Sequence, residues 1–170
     1  MKKFCLMFVF LLSACGFQPM YGTHSGGGSV QTDIARTSQA SLDRIGIDII
    51  PDAEGVYLRN ELIDRFYRNG YPAEKAYRLS IQPLQETKKD FDITVDSEAT
   101  RRQLTLKTVM RLIDTASGKE LLRRNVKAIS SYDVIGSQFT TRVARQDARE
   151  AALNDIARQI ELQLTLFFNR

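Results

Sequence analysis

Few side chains in this 170-residue chain are of types that do chemistry, and their spacing limits what they can do. The only histidine, His24, lies in a Gly- and Ser-rich stretch with no partner nearby in sequence. It supports neither a Ser-His-Asp arrangement nor a zinc site, since both need several groups held together. Gly26-Gly27-Gly28 has no Lys-Ser/Thr after it and no strand pattern before it, so it is not a phosphate loop. Asp90 and Asp92 are a pair that acid–base catalysis would use, but carboxylates in so polar a stretch are expected to be solvated. No catalytic residue, metal ligand or cofactor is expected.

Cations are another matter. Thr100 to Lys127 carries eight Lys or Arg residues against Asp114 and Glu120, a local net charge of +6 in a chain whose total is +4. Alternation makes this stretch two strands joined at Thr115-Ala116-Ser117-Gly118, with Gly118 free to take positive φ. A turn centred on Ala116 to Gly118 sets Arg111 roughly opposite Arg123 and Lys107 roughly opposite Lys127. All four then point away from the Leu104, Leu106 and Leu112 face. Like charges opposite one another destabilise a hairpin. The pattern makes sense if an anion sits there or if water screens the charges. Val109, Ile113, Leu121 and Ile129 share the face, and a surface mixing cations with aliphatics suits a ligand with anionic heads and apolar chains, as in lipid A. The candidate contacts are Arg101, Lys107, Arg111, Arg123 and Lys127. A solvated face kept basic for solubility remains the alternative.

The N-terminus sets the compartment. Lys2 and Lys3 precede a nine-residue apolar run, Phe4 to Leu12, far short of the about 20 residues that span a bilayer. This is the form of a secretory signal. It ends in Leu12-Ser13-Ala14-Cys15, which resembles the lipobox of bacterial lipoproteins. Residues 1–14 are therefore expected to be a signal peptide, with Cys15 acylated and made the new N-terminus. Cys5 leaves with the signal, so no free thiol remains. Several acyl chains anchor stably where one does not. Gly16, rather than Asp, follows the cysteine and points to the outer membrane, facing the periplasm, a compartment without nucleic acid. Residues 15–41, rich in Gly, Ser, Thr and Gln, read as a flexible tether, and residues 42–170 as one domain.

The rest of the chain must position the hairpin. Leu42 to Ile50 alternates as a strand, with Ile45, Ile47 and Ile49 on one side. Glu54 to Asn69 has helical periodicity, with Asp52 as N-cap and Asn69-Gly70 as the stop. Ala76 to Gln82 is a strand with Tyr77, Leu79 and Ile81 inward, and Pro83 marks an edge or bulge. Asp90 to Asp96 keeps the odd parity in Phe91, Ile93 and Val95, as if one long strand continued past Glu86 to Lys89. After the hairpin, Thr141 to Phe168 is a long helix with a stripe from Ala148 through Ala152, Ile156, Ile160 and Leu164 to Phe167. The order β-α-β-β-β-α predicts an α+β two-layer sandwich: a mainly antiparallel four-stranded sheet with two helices on one face.

The order of several motifs resembles a known family. "LSACGFQPMYG" (Leu12 to Gly22), "LIDTASGKELL" and "SYDVIGSQFTTRVARQDAREAALNDIARQI" (Ser131 to Ile160) are similar to segments of the lipopolysaccharide-assembly lipoproteins, the LptE family, in their alphaproteobacterial form. One departure is "TTRVA" (Thr140 to Ala144), where related sequences are more apolar. The resemblance implies a non-enzymatic outer-membrane lipoprotein that plugs and helps assemble the LptD β-barrel and assists lipopolysaccharide transport. The rival is another outer-membrane lipoprotein, either a barrel-assembly factor or a structural envelope protein. A plug is also expected to expose apolar surface until its partner covers it.

Overall fold

The computed structural model describes residues 41–68, 70–93, 99–134 and 137–169. Cys15, His24 and all of the tether but Ser41 lie outside these residues. The elements run β1 (Ile45–Ile47), α1 (Asp52–Phe66), β2 (Tyr77–Ile81), β3 (Gln85–Ile93), β4 (Ala99–Asp114), β5 (Glu120–Asp133) and α2 (Gln138–Phe168). They form an α+β domain with a mixed sheet and two helices. β1 pairs parallel with β2, which requires the crossover that α1 supplies. All the other pairings are antiparallel.

The sheet has five strands rather than four, and the reason lies at Pro83. β2 and β3 run in succession along the same edge of β4, so they are one long strand interrupted at Gln82-Pro83-Leu84. Ile81 faces Met110 and Gln85 faces Lys107, so four steps on the broken edge match three on β4. That extra residue is a bulge, and it reverses which side chains face the core. Leu79 and Ile81 are buried, as the alternation predicts. Beyond the break the phase is inverted. Glu86 now shares a face with Leu106, while Phe91, expected inward, lies on the opposite face beside Lys89, whose ammonium is 5.1 Å from the ring centre. The break is held by two bonds. The Gln82 N–H donates to the Val109 carbonyl at 3.0 Å, and the buried Thr108 hydroxyl donates to the Gln82 carbonyl at 2.6 Å.

Three other expectations need correction. β1 is shorter than the alternation suggests. Ile49 is 87% exposed because the chain leaves the sheet after Asp48 and tucks Ile50 under α1 instead. A β-carbon at Gly55 would meet the Ile50 carbonyl oxygen at 2.7 Å, so only glycine allows this approach. Asp52 does not cap α1 with its side chain. It takes φ 68°, a left-handed conformation that Asp tolerates better than most residues, and Pro51 holds the cap position with no side-chain bond. α2 starts at Gln138, earlier than Thr141, because Ser137 accepts a bond from the Thr140 N–H and so caps the helix.

The helices cover the face of the sheet that carries Leu104, Leu106, Met110 and Leu112. The α2 stripe is buried from Ala148 to Leu164, with Leu153 and Ala157 widening it, and Phe167 is only partly buried. Small residues in its first half bring the helix backbone close to β5. The Ser130 hydroxyl donates to the Ala148 carbonyl at 2.6 Å, and the Gln159 amide donates to the Lys127 carbonyl at 3.0 Å.

The bulge also creates an ion pair under α2. Glu86, turned inward by the phase change, accepts from the Arg149 guanidinium at 2.7 and 3.2 Å. Glu54 of α1 lies 3.5 Å from the same guanidinium. The Arg149 bond, with help from Lys88, holds the Glu86 carboxyl below its ordinary value of 4.5 although partial burial opposes this. The folded value is therefore below the unfolded one. The pair's contribution is complete above the ordinary carboxylate range and is lost as pH falls through the depressed value. Glu86→Gln is expected to cost about 1–2 kcal/mol at neutral pH, the low end reflecting the water that still reaches the carboxylate. Urea titrations of both proteins should give a constant difference from pH 6 to 8 that shrinks below pH 4.5.

Candidate functional site

The hairpin of β4 and β5 forms as its alternation requires, apart from a register shift between Leu112 and Ile113 that passes over Leu121. Gly118 takes φ 69° and its N–H donates to the Asp114 carbonyl at 2.8 Å. The Ser117 hydroxyl donates to the Asp114 carboxylate at 2.7 Å and the Ala116 N–H at 3.1 Å. These two bonds hold the Asp114 carboxyl below its usual range and fix the turn that sets the register.

That register pairs Lys107 with Lys127 and Arg111 with Arg123 across the hairpin. The even residues of β4 are buried beneath the helices, so these four odd-numbered cations stand on the other face. Neither described helix covers that face. Among the described residues, no carboxylate pairs with any of the four. The Arg111 Nε is itself buried and lacks a hydrogen-bond partner. Val109 lies between the two cation pairs, and Ile129, 47% exposed, lies beyond the lysines. Where the Pro83 bulge opens the β4 edge, a depression of about 350 Å³ lies beside Lys107, Lys127, Val109 and Asn125. Among the described residues this face therefore carries four cations without a carboxylate partner, the exposed Ile129 and a shallow recess.

Arg101 is set apart from the other four candidates. It sits at the far end of the hairpin, and its guanidinium is 3.1 Å from the Asp133 carboxylate, which its register faces. Asp90 bonds Arg102 at 2.5 Å, so its charge is already engaged.

A second cationic place was not apparent from the sequence pattern. Arg102, on the inward parity, meets Arg142 and Arg145 from the first turns of α2 around a cavity of about 340 Å³, together with Tyr132 and Thr141. The Arg145 Nε is buried there without a partner. The only sequence signal is the i, i+3 spacing of two arginines at a helix start, which says nothing until α2 is known to begin beside the end of β4.

Exposed apolar side chains cluster on α2. Phe139 and Val143, four residues apart, are 76% and 45% exposed, and Leu162 and Leu166 are 54% and 52% exposed. Among the described residues no helix is long and apolar enough to cross a membrane, which leaves strands in a barrel unaddressed.

Residues 42–164 match the family model described as LptE, lipopolysaccharide-assembly. No curated protein matches the sequence. Among solved structures, the chain is similar to a protein of Caulobacter crescentus CB15 described as a lipoprotein, at 28% identity and a TM-score of 0.62, with 79% of this chain and 97% of that one covered. The fold is shared with a minor lipoprotein from Acinetobacter baumannii, at 18% identity and TM-score 0.59 over 74% of this chain and 92% of that one. It is shared as well with the rare lipoprotein B of Shewanella oneidensis, at 10% identity and TM-score 0.56 over 72% and 92%.

Proposed function

The chain belongs to the LptE lipopolysaccharide-assembly family, and from that premise we propose a non-catalytic outer-membrane lipoprotein that plugs and helps assemble an LptD-type β-barrel and contacts lipopolysaccharide directly. Residues 1–14 are removed, Cys15 carries the lipid, residues 15–41 tether the domain, and residues 42–170 act on the periplasmic side. The observation that carries the lipopolysaccharide contact is the set of four cations without carboxylate partners on a sheet face that no described helix covers. Charge-assisted bonds from Lys and Arg suit lipid A phosphates, and the aliphatics between them suit acyl chains. The arginine cavity at the start of α2 supports a second anionic contact for the same ligand. The exposed pairs Phe139/Val143 and Leu162/Leu166 fit a surface that a barrel wall would cover.

The test is affinity purification of the lipidated protein from outer membranes in mild detergent. An LptD-type barrel in equal amount is the expected companion. A different barrel machine, or no companion, would favour the rival accessory or structural lipoprotein. Cys15→Ser should block both acylation and removal of residues 1–14, so mass spectrometry should find an unacylated chain that still carries Met1 to Ala14.

A further inference from the structure

The two cation pairs are not spread evenly along the hairpin. Lys107 faces Lys127, and Arg111 faces Arg123, with only Val109 and Asn125 between them on this face. The pairs lie four positions apart along each strand, about 13 Å at the rise of an extended chain. Within each pair the β-carbons stand about 5 Å apart. Two cations at that spacing converge on one anionic group, whereas the distance between the pairs is too long for any single phosphate or carboxylate. It is of the same order as the separation of substituents at the two ends of a disaccharide.

We propose that this face holds a glycolipid at two points, one anionic end of its disaccharide between Lys107 and Lys127 and the other between Arg111 and Arg123. The inference rests on the lipopolysaccharide contact proposed above and adds which feature of the ligand is read. The two ends differ in kind. The lysine pair borders the recess made by the Pro83 bulge, so its anion is seated against a concave wall. The arginine pair lies next to the register shift between Leu112 and Ile113, and its planar guanidinium groups hold phosphate or carboxylate in a bidentate manner. The aliphatics divide in the same way: Val109 lies under the sugar, and Ile113 and Ile129 flank the outer sides of the two pairs. Charge complementarity selects this occupant over a protein segment, because the described residues leave two opposed pairs of like charge with no counter-ion.

The test compares diphosphoryl with monophosphoryl lipid A in zwitterionic detergent micelles, titrated against the full-length lipidated protein. The diphosphoryl form should bind roughly tenfold more tightly, the worth of one charge-assisted contact. Lys107→Gln with Lys127→Gln should abolish that preference, and so should Arg111→Gln with Arg123→Gln. Equal binding of the two lipids by the native protein overturns the two-point reading and leaves lipopolysaccharide contact standing. Persistence of the preference in both double variants also overturns it, since the second phosphate must then be read elsewhere. Binding of neither lipid sinks the contact reading itself. All four positions are exposed or half-buried, and thermal unfolding of each variant identifies any that fail to fold.

Discussion

Replacing Lys107, Arg111, Arg123 and Lys127 together by glutamine is expected to lower lipopolysaccharide affinity by roughly 100- to 1000-fold while leaving the domain at least as stable. The binding loss follows from removing two charge-assisted contacts of about 1.5–2 kcal/mol each. The stability gain follows from the register, because each like-charge pair directly opposite in a hairpin costs about 0.2–1 kcal/mol. Lys107–Lys127 and Arg111–Arg123 are two such pairs. Calorimetric binding and thermal unfolding on the same preparation read both effects. Opposite signs for the two would mark a surface kept for its ligand at the expense of the fold. Unchanged binding with altered stability would make the cations a solvated outer face and nothing more.

Phe66→Ala is expected to have the largest effect on the fold. Phe66 ends α1 with no exposed surface and belongs to the same core as Leu58, Leu62, Ile160 and Leu164. Truncating a buried phenylalanine costs about 3–5 kcal/mol, because transfer energy and a residual cavity add. Domains of this size have about 5–15 kcal/mol in all. Urea unfolding should show a lower midpoint at an unchanged slope. A shift worth under 1 kcal/mol would mean that α1 is not locked to the core as the burial indicates.

The parts of the fold that the sequence made legible are those set by short-range periodicity. The register of β4 and β5 at the cation pairs follows from alternation on both sides of a turn centred near Ser117, although the shift between Leu112 and Ile113, which passes over Leu121, has no signal in the sequence. Lys107 against Lys127 and Arg111 against Arg123 were therefore readable without coordinates. The stripe on α2 was readable for the same reason. The inversion of β3 was not. Pro83 announces a break, but nothing local states whether it adds an even or an odd number of residues, and that parity decides whether Glu86 or Phe91 meets the core. The outcome then places Glu86 against Arg149, a pairing across 63 positions that no local pattern encodes. Arg101 and Arg102 looked alike in the sequence, yet they point to opposite faces and engage Asp133 and Asp90 respectively. The arginine cavity depends on where α2 begins relative to the end of β4, a tertiary fact.

A photo-crosslinking amino acid placed at Val109, between the two cation pairs, reports what touches this face in the cell. Irradiated cells should yield a covalent adduct of this protein with lipopolysaccharide at that position, and the adduct should vanish when the four cations are replaced. An adduct with a barrel protein in place of lipopolysaccharide, or none at all, would contradict the account and make this face a wall contact or a bare surface.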